Sequence, residues 1–146
     1  MKKNLLILTI LICLGSYALA QNANSKFDFS VIFGDCFHGD SVDVKINSIV
    51  FAKNLPLKSD VVGSAHYSIV QVKKGITVKH YQAAKFILQK IDIKSPVKIK
   101  IAVTNDSLST SIDLKKGKII YIEYCRDKKG KQKITAIQQN SPVIFF

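Results

Sequence analysis

The sequence predicts an all-β protein, a two-sheet antiparallel sandwich of nine to ten strands. Three observations predict it. Apolar side chains recur at every second position over long stretches, most clearly between Pro96 and Cys125. Turn signals interrupt these stretches at intervals of roughly ten residues, the spacing of short strands in a sandwich. The chain also opens with the features of an export leader and carries two cysteines beyond it, Cys36 and Cys125.

The leader has three parts: a basic start at Met1-Lys2-Lys3, an apolar run from Leu5 to Leu14, and the small-residue site Ala18-Leu19-Ala20. The run is too short to span a bilayer as a helix. Cleavage is expected after Ala20, leaving residues 21–146 as a single domain in the periplasm or outside the cell. Cys13 is not expected to become a lipid anchor, because Ile12 stands where a lipoprotein site needs a small residue.

Beyond a polar stretch from Gln21 to Lys26, Phe27, Phe29, Val31 and Phe33 alternate with Asp28, Ser30 and Ile32, making a first strand. Gly34 to Asp40 is turn-rich. Val42, Val44 and Ile46 then alternate with Asp43 and Lys45, and Asn47-Ser48 turns the chain into Ile49-Val50-Phe51, a hairpin. Asn54 to Ser64 contains Pro56 and Gly63 and is expected to be a long loop or an edge crossing. In the strand from Ala65 to Lys73, Tyr67, Ile69 and Gln71 share a face. Residues 79–91 admit a helix, from the spacing of Tyr81, Ala84, Ile87, Leu88 and Ile91. The flanking β pattern favours a hairpin instead, with its turn at Ala83-Ala84-Lys85 and a strand from Phe86 to Ile93.

The stretch from Pro96 to Cys125 organises the rest. Val97, Ile99, Ile101 and Val103 face one way and Lys98 and Lys100 the other. After Asn105-Asp106, Leu108, Ile112 and Leu114 alternate with Ser107, Ser109, Ser111 and Asp113. The run from Ile119 to Cys125 is apolar at nearly every residue, as expected of the most central strand. A turn at Lys128-Lys129-Gly130 leads to a further strand from Gln132, and Pro142 introduces an apolar end, Val143 to Phe146.

Several of these segments, taken in order, resemble a known group. They are the leader ending in Ala-Gln, Gly34-Asp35-Cys36-Phe37, the run from Asp40 to Asn47, the run from Pro96 to Ile101, the run from Ile112 to Lys118, and the patch from Gln138 to Pro142. Together they look like small exported β-sandwich proteins of Bacteroidetes-type bacteria, most of them without an assigned function. The resemblance implies an immunoglobulin-like or prealbumin-like sandwich and carries over no catalytic residues. Asp40-Ser41-Val42 and Asp106-Ser107-Leu108 also resemble the O-glycan acceptor triplet of exported proteins in those bacteria.

Charge and cysteine content narrow the chemistry. The chain has 22 basic residues against 10 acidic ones. This excess favours an anionic glycan, a lipid head group or an acidic protein as partner. A solvated surface whose lysines blunt strand edges is the alternative. Cys36 and Cys125 are a disulfide candidate, as an even pair in an exported chain, although separately buried thiols would also fit. Closing so long a loop would stabilise the fold by about 4 kcal/mol.

Lys-Lys-Gly occurs at 73–75, 115–117 and 128–130, with glycine expected to supply the positive φ of a tight turn. In an up-and-down arrangement the first two tips share one end and the third lies opposite. Lys73, Lys74, Lys79, Lys115, Lys116 and Lys118 are the candidate anion contacts. Nucleic acid is disfavoured, because only Tyr81 offers an aromatic ring near these charges. Cys36 and His38 with Asp35 and Asp40 do not complete a metal set, and no cofactor is expected. His38, His66 and His80 are the imidazoles, but no nucleophile elbow exists and nothing pairs a carboxylate with a nucleophile at useful spacing, so His66 is expected to be an ordinary polar strand residue. The lysine-studded strands leave no lipid-facing band for a membrane barrel. The expected function is a noncatalytic binding module. A structural or assembly subunit using an edge or the C-terminal strand is the alternative, and a small hydrolase a third.

Overall fold

The structure, a computed structural model, describes residues 27–93, 96–104 and 106–140. The leader with its cleavage site, Cys13 and the apolar end from Val143 to Phe146 lie outside the described residues. Among the described residues ten strands are formed: β1 (Phe29–Phe33), β2 (His38–Ile46), β3 (Ile49–Lys58), β4 (Tyr67–Val72), β5 (Gly75–His80), β6 (Ala83–Ile87), β7 (Val97–Val103), β8 (Asp106–Ile112), β9 (Ile119–Arg126) and β10 (Gln132–Gln139). They make a two-sheet sandwich. The larger sheet has the order β10-β9-β1-β4-β5-β6 and the smaller the order β3-β2-β7-β8.

Alternation, clearest along β2, β4 and β7, fills the space between the sheets. Phe29, Val31, Phe33, Ile69, Ile120 and Ile122 point inward from the larger sheet and are fully or almost fully buried. Val42, Val44, Ile46, Val97, Ile99 and Ile101 meet them from the smaller one. At roughly 1.5–3 kcal/mol per buried large aliphatic or aromatic side chain, this layer is the main source of stability. Tyr67, Ile69 and Gln71 share the inward face of β4, as their spacing predicts.

Every neighbouring pair is antiparallel except β1 and β9, which run parallel in the register Ser30↔Ile119 to Phe33↔Ile122. The expectation that the 119–125 run is the most central strand needs correcting. β9 is interior, but β1 and β4 occupy the middle of the larger sheet. The parallel pairing continues past β1, where Gly34 N–H donates to Ile122 C=O at 2.9 Å and Tyr124 N–H to Asp35 C=O at 3.1 Å. Three residues beyond the Phe33↔Ile122 pair on each chain stand Cys36 and Cys125, joined by a disulfide with Cα atoms 5.0 Å apart.

Two strand boundaries differ from those expected. Of the segment from Asn54, expected as a long loop or an edge crossing, the part to Lys58 continues the edge strand β3, and the irregular connection starts only after it. β3 is an edge strand, where a proline lacking its N–H is tolerated. The irregularity is absorbed at Asn54, which adopts φ +51° and donates its N–H to Asp43 Oδ1 at 2.6 Å. The 79–91 segment is a hairpin, but it turns at Tyr81-Gln82, with His80 paired to Ala83. The expected strand from Phe86 to Ile93 is therefore replaced by β6, which ends at Ile87.

Beyond β6, the chain returns to the core through Ile91 and Gln71. The Gln71 side chain, 1% exposed, accepts from Ile91 N–H at 2.8 Å and donates to Ile91 C=O at 3.2 Å. The β3–β4 connection packs on the outer face of the larger sheet, where the Tyr121 hydroxyl donates to Gly63 C=O at 2.9 Å. A side chain at Gly34 would overlap the Tyr121 ring. Burial, then the charges of Asp35 and Glu123, push the Tyr121 pKa up to about 12. On one side the sheets are stitched together. Asp106 Oδ2 accepts from Ile134 N–H at 2.9 Å, and Gln138 Nε2 donates to the carbonyls of Asp113 and Gly117.

Replacing Gln71 with leucine keeps the volume but strands both buried backbone groups of Ile91. Urea unfolding is expected to show a loss of about 2–3 kcal/mol. A loss under about 0.5 kcal/mol, the range of a neutral surface change, would show that the clamp does not hold this segment.

Candidate anion-binding face

Strand direction decides where each lysine stands. β1 and β9 run one way and β4 the other. The Lys73–Lys74 turn after β4 and the 115–118 segment before β9 therefore emerge at one end, beside the start of β1. Both clasp that start: Asp28 N–H donates to Gln71 C=O and Ser30 N–H to Lys118 C=O, each at 2.8 Å. One strand separates β4 from β9, so the two segments leave the sheet about 10 Å apart, two inter-strand spacings. The Lys128-Lys129 turn lies at the opposite end, between β9 and β10. Lys79 does not join the first group. It pairs with Ser68 near the far end of β5, about 13 Å along the strand from the Lys73–Lys74 turn.

The three Lys-Lys-Gly triplets do not share one turn chemistry. Gly130 adopts φ +78°, which a β-carbon would strain. At Gly75 the constraint is instead close approach, since a β-carbon would strike the carbonyl oxygen of Ile87 on β6. At Gly117 a β-carbon would lie 2.6 Å from the backbone of Gln139. Positive φ, expected at all three, is found at Gly130 and at Gly117 (+159°), where a neighbouring strand also crowds the glycine; at Gly75 close approach alone accounts for it.

A second set of lysines occupies the exposed face of the smaller sheet. Lys45 on β2 stands directly opposite Lys100 on β7, and Lys98 lies one pleat further along β7 on the same face. β8 sets Ser109 beside Lys100 and Ser111 beside Lys98. Lys45, Lys53 and Lys100 line a shallow groove of about 430 Å³ with Asp43, Val50 and Ala102. Asp43 is engaged with Asn54 N–H. Like charges directly opposite on a sheet destabilise it, so this face is electropositive at some expense to the fold. The signal was present in the alternation of Lys98 and Lys100, but the partner at Lys45 requires the β2–β7 register.

The remaining candidate residues are distributed otherwise. Cys36 Sγ is bonded to Cys125 and cannot ligate a metal. His38 is exposed, and its N–H donates to Asp40 Oδ2 at 2.8 Å. Among the described residues, no three or more His, Cys, Asp or Glu are grouped to hold a metal ion, and no helix is long and apolar enough to cross a membrane. Ser41 and Ser107, the two triplet serines, are both exposed.

His66 departs from its expected role as a strand residue. It precedes β4 at φ +49° and pairs through Nε2 with Asp60 Oδ2 at 2.5 Å. Asp60 Oδ1 accepts from the N–H groups of Val62 and Ser64, each at 3.0 Å. These backbone bonds, with the Ser64 one foremost, hold the Asp60 pKa below its ordinary value, and the His66 contact adds to them. The spacing Asp60-x-x-x-Ser64-x-His66 was the available signal. It needed a tight loop, which sequence periodicity does not reveal.

No family model, curated protein or solved structure matches this chain.

The opposed Lys45–Lys100 pair gives a stability test. Lys100→Thr is expected to raise stability by about 0.5 kcal/mol at low salt, with the gain fading as added salt screens the repulsion. Urea unfolding at two ionic strengths measures it, and a salt-independent loss would show that the lysine stems pack rather than repel.

Proposed function

We propose that the protein is an exported, noncatalytic binding module that engages an anionic partner, foremost an acidic glycan, through its lysine-bearing face and end. The observation that carries this reading is Lys45 set directly opposite Lys100 on an exposed sheet face. Together with Lys98 and the adjoining serines, it makes a flat row of cations and hydroxyls. Lys98 and Lys100 repeat at about 7 Å along the strand, a regular spacing that suits a polymer carrying repeated carboxylate or sulfate groups better than an isolated head group. Lys115 and Lys116 follow the end of β8 and extend the positive charge around the end of the sandwich.

Export is supported by the leader pattern and by the Cys36–Cys125 bond, which belongs to oxidising compartments. The resemblance to exported sandwich proteins of Bacteroidetes-type bacteria points the same way.

A second reading, an assembly subunit, is favoured by one observation. β6 is an edge strand of the larger sheet and carries Phe86 at 51% exposure, followed by Leu88 at 79%. Such an edge can accept a strand from a partner.

Retention of the protein from residue 21 on immobilised polygalacturonate separates the readings. The binding reading expects retention at low salt, release as ionic strength rises, and at least tenfold weaker binding after Lys45, Lys98 and Lys100 are changed together to threonine. Salt-insensitive retention, or none, would overturn it. Self-association in sedimentation that depends on Phe86 would favour assembly instead.

A further inference from the structure

The outer face of the larger sheet holds a second cavity, remote from the lysine groove and built from different chemistry. Its volume is about 290 Å³, near the lower limit of small-ligand pockets. Ile32 and Val70 form an apolar floor, Ser68 and Lys79 supply polar contacts, and His66 and Tyr81 stand at the wall. Register places Ile32, Ser68 and Lys79 side by side across β1, β4 and β5.

The backbone of the wall is unusual. Tyr81 has φ +52° and His66 φ +49°, and the Tyr81 N–H donates to the His66 carbonyl at 2.8 Å. Bulky side chains rarely adopt this region. Tyr81 is the first residue of a two-residue hairpin turn, a place where glycine would serve the fold better. Departures of this kind gather at functional sites, and the inference runs from the observed outlier to a role.

The wall is also held in advance of any ligand. Asp60 fixes the His66 ring, and His80 packs 4.3 Å from Tyr81, centroid to centroid. Ring contacts then continue through Tyr67 and Phe33 into the core. Tyr81 nevertheless remains 56% exposed, so its ring is braced from behind and open to solvent in front.

We propose that this pocket binds a single pyranose ring bearing a carboxylate, a hexuronic acid unit. An exposed aromatic ring offers a face to the C–H side of a sugar. The Ser68 hydroxyl and the His66 ring edge can exchange hydrogen bonds with sugar hydroxyls, and Lys79 meets the carboxylate. The Asp60 carboxylate is turned into its own loop, bonded to His66 and to two backbone N–H groups, and does not line the pocket. The site does not rest on the lysine groove, and either can fail without the other.

The test is an NMR titration of the protein from residue 21 with D-galacturonic acid, at a salt concentration high enough to suppress diffuse contacts with the other lysines. Saturable shifts are expected at the Tyr81 and His66 rings and the Ser68 amide. Those at His66 and Ser68 should be lost in Tyr81→Gly, whose melting temperature should equal or exceed that of the parent, because glycine relieves the turn. Lys79→Gln, an exposed change that leaves the turn intact, should weaken binding at least fivefold, and Lys45→Thr should leave it unchanged. Absence of saturable shifts, their persistence in Tyr81→Gly, or a lowered melting temperature in that variant would overturn the proposal. The last would assign the ring to hairpin packing.

Discussion

The fold depends on one short strand. β1 has five residues, yet it lies between β4 and β9 in the middle of the larger sheet and is the partner that β9 follows in parallel. Phe29, Val31 and Phe33 fill the inter-sheet space, Ser30 is 5% exposed on the other face, and Ile32 is half-buried. A parallel pair cannot be closed by a tight turn, so residues far apart in sequence must meet before this sheet exists. The disulfide between Cys36 and Cys125, 89 residues apart, lies in line with that pairing and links the two strands just beyond it.

This arrangement places two of the three candidate sites. The basic end exists because the segments around Lys73–Lys74 and Lys115–Lys118 flank the start of β1. The outer pocket exists because β1 and β4 supply its floor while the β3–β4 connection, tied down at Tyr121 and Gly63, brings His66, held by Asp60, to its rim. The lysine groove is different in kind. It needs only the local β2–β7 register, and its charges sit at a like-charge contact that the fold itself does not require.

Much of this was legible in the sequence, because a half-buried strand must alternate. The inward sets on β4 and β7 and the turn at Asn47-Ser48 follow directly from that pattern. Where it failed, a tertiary constraint had replaced the local one. Pro56 suggested a loop or an edge crossing but sits within an edge strand that needs no N–H there. The Tyr81-Gln82 turn has none of the residues that usually announce one, because an aromatic ring stands where glycine would suit the backbone. The parallel β1–β9 pair and the Lys45–Lys100 contact are matters of strand order, which periodicity does not encode. Asp60 and His66 meet through loop backbone bonds, and Lys79 left the expected cluster once β5 was given its direction.

Native-state hydrogen exchange of the β1 amides tests the central claim most directly. If β1 is the strand around which both sheets assemble, the amides of Val31, Ile32 and Phe33 should open only with global unfolding, with the same free energy and the same denaturant dependence. Exchange of these amides through a smaller opening, while those of β7 stay protected, would show that β1 docks late onto a sandwich that is stable without it, contradicting this account.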